Sequence, residues 1–164
     1  MRLLLALTSL FLIFSCTGFS QSKTFTFKGQ VHSYGENLKG AKIEVLEAGN
    51  LIYETTTSGS GKFSFDLQSE REYTVEISKE ELQTKIIWIK TKHTEELEFK
   101  VPVFDFDVYL KKEKNTPYDE LLEIPVTLIK YNPEKKAFYM DKTYEDAIAN
   151  KEQRIKDNTL QIRR

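Results

Sequence analysis

Between Thr24 and Leu110, apolar side chains recur at alternate positions, the period of an extended strand whose two faces meet different surroundings. Phe25 and Phe27 alternate with threonine, and Ala41, Ile43 and Val45 alternate with Lys42 and Glu44. Phe63, Phe65 and Leu67 alternate with Ser64 and Asp66, and Tyr73, Val75 and Ile77 with Thr74 and Glu76. A chain patterned in this way buries one face of each strand and wets the other; no window here sustains the 3.6-residue apolar repeat of a helix. The breaks are turn-forming clusters: Tyr34-Gly35-Glu36-Asn37, Ala48-Gly49-Asn50 and Ser58-Gly59-Ser60-Gly61. Short strands at this spacing predict a mainly β fold, a seven-stranded sandwich over residues 24–110.

Residues 111–164 read differently and form a C-terminal extension. Lys111-Lys112-Glu113-Lys114-Asn115-Thr116-Pro117 is a charged linker ending in proline, after which Ile124 to Tyr131 resumes as a strand. Asn132-Pro133-Glu134-Lys135-Lys136 is a turn, and Ala137 to Met140 is the return arm of a β-hairpin. Thr143 followed by Asp146 has the spacing of a capping box, and Tyr144, Ile148 and Ile155 share one helical face. A short amphipathic helix is expected there, supported by the Glu152 and Lys156 pair and fraying from Asn158 to Arg164.

Ahead of the strands, Met1-Arg2 is a short positive start, and Leu3 to Ser15 is apolar apart from Thr8, Ser9 and Ser15. That is the length of a signal-peptide core and too short to span a bilayer, so residues 1–20 read as an export signal. Gly18-Phe19-Ser20 before Gln21 offers small residues at the positions a signal peptidase reads, which places cleavage between Ser20 and Gln21. The alternative exit is lipidation of Cys16 within Ile13-Phe14-Ser15-Cys16, but the bulky Phe14 stands where a lipobox prefers a small residue. No later segment approaches the length of a transmembrane helix. Cys16 is the single cysteine, so cleavage after Ser20 leaves no thiol, disulfide or cysteine metal ligand.

Charge excludes one class of partner. Residues 21–110 carry 11 Lys and Arg against 15 Asp and Glu, and residues 111–164 carry 12 against 10, with the signs interleaved. No basic stripe of the kind that tracks a nucleic-acid backbone is present.

The order and spacing of four short elements resemble the carboxypeptidase regulatory-like domain, over about half of the chain. They are Gly29-Gln30-Val31, Leu38-Lys39-Gly40-Ala41, Thr57-Ser58-Gly59-Ser60-Gly61-Lys62-Phe63 and Tyr73-Thr74-Val75. The resemblance implies an Ig-like or transthyretin-like sandwich that serves as a non-catalytic accessory or structural module of secreted and envelope proteins. It implies no cofactor, and it supplies no binding residues to carry over. The wider fold group includes carbohydrate-binding members, so the expected partner is an envelope protein or a glycan.

Candidate chemistry is sparse. His93-Thr94-Glu95-Glu96 has the His-x-x-Glu spacing of a zinc site, but no histidine follows to complete the ligand set. Asp105 and Asp107 share one strand face about 7 Å apart, a separation compatible with an inverting glycosidase pair or a calcium cluster. Nothing in the pattern buries either carboxylate, so a wet strand face is the expected reading and a small hydrolase the remote one. Gly59-Ser60-Gly61 lacks the nucleophile-elbow pattern and reads as a turn. The strand Ile86-Ile87-Trp88-Ile89 is apolar on both faces, and the register that the resemblance implies points Ile87 and Ile89 inward. Ile86 and Trp88 then need a second cover, expected from the segment 111–164 folding back over them. Left open, they form a candidate binding patch with Tyr131, Tyr139 and Tyr144.

Overall fold

The computed structural model describes residues 23–92, 103–112 and 124–162. The leader with Cys16, Ser20 and Gln21, and the His93 to Glu96 motif, lie outside them. Among the described residues, ten strands and one helix follow in order: β1 (Thr24–Ser33), β2 (Glu36–Asn37), β3 (Lys42–Glu47), β4 (Asn50–Thr56) and β5 (Lys62–Gln68) come first. β6 (Glu72–Lys79), β7 (Leu82–Lys90), β8 (Val103–Tyr109), β9 (Thr127–Asn132), β10 (Ala137–Met140) and α1 (Lys142–Ile162) come after them. The strands form two sheets, as the alternation predicts. In the smaller, β1 lies between β5 and β8, and the two-residue β2 closes on its end. The larger runs β10-β9-β7-β6-β3-β4.

The predicted inward positions are the core. Phe25, Phe27, Val31, Phe65, Leu67 and Val108 from the smaller sheet meet Ile43, Val45, Val75, Ile77, Ile87 and Ile89 from the larger, all buried. Each such aliphatic or aromatic side chain removed from water stabilises the fold by about 1.5–3 kcal/mol relative to leaving it exposed.

Among the described residues, the C-terminal strand β9 packs onto the sandwich without crossing the outer face of Ile86 and Trp88. β9 instead joins the larger sheet in plane, parallel to β7, with Ile87 opposite Thr127 and Ile89 opposite Ile129. Val126 N–H already donates to Ile86 O at 2.9 Å, so pairing starts one residue after Pro125, which has no N–H to give. Ile129, Tyr131 and Phe138 enter the same hydrophobic cluster as Phe25 and Phe27.

The helix also departs from expectation at both ends. Asp141, not Thr143, is its cap: Asp141 Oδ1 accepts from Thr143 N–H at 3.1 Å and Tyr144 N–H at 3.3 Å. The helix runs on to Ile162, past the predicted fraying point, and Gln153 Nε2 bridges to Asp157 Oδ1 one turn on. The predicted face of Tyr144, Ile148 and Ile155 is the half-buried one. Lys130 Nζ lies 2.6 Å from Asp141 Oδ2, and its hydrogen bond holds the Asp141 carboxyl below the usual carboxylate range. A carboxyl with a depressed folded pKa stabilises most above its ordinary value and loses that contribution as pH falls through the folded one. Helical ellipticity is therefore expected to fall in Asp141→Ala at neutral pH. In the parent it should fall only below the ordinary carboxylate range; equal ellipticity of parent and variant at pH 7 would contradict the cap.

Two of the motif elements are tied together by one hydroxyl. Thr57 Oγ1 donates to Leu38 O at 2.6 Å and accepts from Ala41 N–H at 2.9 Å, pinning the Leu38-Lys39-Gly40-Ala41 turn to the end of β4. Gly61 stands at φ 76° with Val31 O only 2.7 Å from where a Cβ would sit, so this corner admits only glycine. Thr57→Val keeps the shape but leaves the Ala41 N–H without its acceptor, and should destabilise by about 1–3 kcal/mol in urea unfolding. A shift under about 0.5 kcal/mol would show that the hydroxyl does not hold the turn.

Candidate outer-face binding groove

The five aromatic and aliphatic patch residues do not come together. Tyr131 points into the core, where its ring meets Phe25 at 6.5 Å and Phe138 at 5.4 Å between centroids, so it is withdrawn from any surface patch. Its parity with Ile129 on β9 was the available signal, because residues two apart on a strand share a face. Tyr144 is half-buried, with its hydroxyl donating to Pro125 O at 2.8 Å. Ile86 and Trp88 do face outward, half-buried, with Leu128 beside Trp88 in the ladder. The Lys90 ammonium sits 3.8 Å from the centre of the Trp88 ring, so a cation already occupies one stacking face. Tyr139 is partly exposed at the edge, with Lys130 Nζ 5.8 Å from its ring centre.

A groove lies instead on the opposite side of the molecule, on the outer face of the smaller sheet. It encloses about 510 Å³ and is lined by Lys28, Gln30, Lys62, Asp105 and Asp107 over the backbone of Gly29, Phe63 and Phe106. The strand register explains its shape. Gly29 of β1 stands opposite Phe63 of β5 and Phe106 of β8, and the side chains of that rung point inward or, at Gly29, do not exist. On either side of this bare rung stands a row of outward polar groups. One row is Ser64, Lys28 and Asp105; the other is Lys62, Gln30 and Asp107. The rows are about 7 Å apart along the strands, and three strands span about 10 Å.

The groups in these rows are partly pre-set. Lys28 Nζ lies 3.4 Å from Asp105 Oδ2. The Gln30 amide donates to Ser60 O, which orients its carbonyl oxygen, and Ser60 hydrogen-bonds within the Ser58 to Gly61 turn as the sequence predicts. One rung further, His32 stacks on Tyr109 with ring centres 5.0 Å apart and planes 19° off parallel, and Tyr109 is 60% exposed. His32 Nε2 is buried, without a hydrogen-bond partner among the described residues, and lies 3.8 Å from Asp107 Oδ2. Asp105 and Asp107 were visible in the sequence as a pair. Their partners were not, because β8 pairs with β1 in parallel across a long stretch of chain.

The fold and groove together define a β-sandwich module with one wide and one narrow sheet, the narrow one carrying a polar trough on its outer side. No protein-family model and no characterised protein sequence matches the chain. Among solved structures it is similar to 3-chlorocatechol 1,2-dioxygenase from Rhodococcus opacus 1CP, with a TM-score of 0.41 and 13% identity over 56% of this chain and 60% of that one. The Bacillus anthracis TIE protein is similar with a TM-score of 0.44 and 13% identity, over 54% of this chain and 17% of its own. The major pilin SpaD from Corynebacterium diphtheriae has a TM-score of 0.43 and 15% identity, over 57% of this chain and 32% of its own. The chain thus spans less than two thirds of each. Among the described residues no group of three or more His, Cys, Asp or Glu is placed to hold a metal, and no helix is long and apolar enough to cross a membrane.

Proposed function

We propose that this chain is a non-catalytic binding or scaffolding module exported to a bacterial cell envelope, of the carboxypeptidase regulatory-like kind. The observation that carries the binding role is the trough over Gly29, a polar, concave and solvent-open surface built from three strands. A rigid sheet holds its side chains at fixed spacing, which favours recognition. Its two carboxylates stand in the open, Asp105 beside the Lys28 ammonium and Asp107 3.8 Å from the His32 ring, a setting suited to holding a ligand more than to acid and base work. Support for the family comes from Thr57 and Gly61, whose contacts give the motif residues definite structural tasks. Support for export comes from the apolar Leu3 to Ser15 stretch and the Ser20-Gln21 junction.

Fractionation of cells expressing the whole chain, with intact mass of the recovered protein, tests this reading. The expected product lies outside the cytoplasm and begins at Gln21. A diacylglycerol-bearing product beginning at Cys16 would move it to a membrane anchor within the same reading, whereas an unprocessed cytoplasmic product would overturn export.

A further inference from the structure

We infer that the trough over Gly29 binds an uncharged, polyhydroxylated ligand, a short stretch of glycan, with Tyr109 as its stacking platform and Asp107, Gln30 and Lys28 as hydrogen-bonding groups. The inference rests on the binding-module reading and names the ligand class for that site. Three features of the surface lead to it.

The first is charge balance. The lining contains two lysines, Lys28 and Lys62, and two aspartates, Asp105 and Asp107, with one of each sign in each row. A trough with no net charge gives neither an anion nor a cation long-range attraction, so its selectivity lies in hydrogen bonds. The second is the mixture of donors and acceptors: carboxylates and the oriented Gln30 carbonyl accept, while ammonium groups donate. A sugar hydroxyl both donates and accepts, so two rows of mixed donors and acceptors about 7 Å apart can take the hydroxyls on opposite edges of a ring lying between them. The third is the aromatic step. Tyr109, two residues beyond Asp107 on the same face of β8, stacks against His32 on the neighbouring strand and is 60% exposed, so a ring with an apolar body and a polar tip stands at the end of the trough where it can meet a partly wet ligand. The unsatisfied His32 Nε2 beside Asp107 marks the same end of the trough as polar and incompletely bonded.

The sequence-based candidate for sugar stacking was Trp88, on the other sheet. Lys90 covers one face of that ring, and Tyr131 is not beside it, so the flat platform it required is not assembled.

The test is titration calorimetry of the full chain, purified as the cell processes it, with maltotetraose, cellotetraose and triacetylchitotriose as probes. At least one is expected to bind, with affinity weakened about tenfold or more in Tyr109→Ala and in Asp107→Ala, and unchanged in Lys42→Gln on the far sheet. Matching far-ultraviolet spectra and thermal midpoints for the variants separate lost binding from lost folding. Three outcomes overturn the inference: no heat from any probe up to about 10 mM, binding lost in Trp88→Phe but not in Tyr109→Ala, or calcium chloride binding that Asp105→Asn and Asp107→Asn abolish. None of these touches export, which the mass measurement decides separately.

Discussion

Replacing Gly29 with alanine is expected to cost the protein about 3 kcal/mol or more and to lower its thermal midpoint by about 10 °C or more. A Cβ at this position would stand 1.8 Å from the Phe106 carbonyl oxygen, 2.9 Å from its carbon and 3.0 Å from Phe63 Cζ. Two of those atoms are backbone of the neighbouring strand, so no rotamer change relieves the clash, and β1 would have to part from β8. Glycine inside a strand usually weakens it; here it marks a close approach of two backbones. It also allows the Phe63 and Phe106 rings to meet edge to face, 5.4 Å apart between centroids, across the gap where a side chain would lie. Gly59→Ala is the control, because nothing lies within 4 Å of its Cβ position, and it should change stability by no more than about 0.5 kcal/mol. An equally mild Gly29→Ala would mean that β8 is not seated on β1 as described. The trough would then lose its floor, since its two rows hang on that rung.

The second large effect is expected at Phe138, where truncation to alanine should destabilise by about 3–5 kcal/mol. Its ring lies 5.0 Å from both Phe25 and Phe27, 5.4 Å from Tyr131 and 6.2 Å from Phe104. These partners come from both sheets, so the cavity left behind has walls that cannot collapse together without moving a strand. Urea unfolding checks it: the midpoint should fall with the slope unchanged and a single transition retained. Two transitions, or a small shift with the first strands unaffected, would show the β9 to β10 hairpin to be energetically separate. Phe138→Leu, which keeps most of the apolar volume, should recover much of the loss.

Local pattern carries far in this chain, and pairing carries less. The turns at Ser58 to Gly61 and at Asn132 to Lys136 were legible from their residues alone, whereas alternation could not choose a face for the all-apolar run Ile86 to Ile89, and its inward Ile87 and Ile89 followed from the register that the resemblance implies. The placement of Val126 to Tyr131 was not legible. An apolar strand relieves its exposure equally well by lying over a sheet or by joining its edge, and the sequence of the strand is the same in both cases. The outward side of the run Ile86 to Ile89 gains an apolar neighbour in the plane of the sheet, with Leu128 of β9 next to Trp88. The cap failed for a related reason: Asp141 ends a strand partner and begins a helix at once, and its Lys130 contact comes from another strand. At the trough, Asp105 and Asp107 could be read as a pair, but Lys28, Gln30 and Lys62 belong to strands that only the finished fold brings beside them.

Both parallel ladders join parts of the chain made at very different times. Thr26 waits for Val103, and Ile87 waits for Thr127. Neither ladder can close on a nascent chain that has emerged only as far as β7, and Phe25 and Phe27 have no Phe138 to pack against until the last hairpin is out. Non-local pairing of this kind makes collapse into the native state slow. The antiparallel ladders among β1 to β7 need nothing made later, so the two parallel ladders and the cluster around Phe138 are the last parts of the sandwich to close.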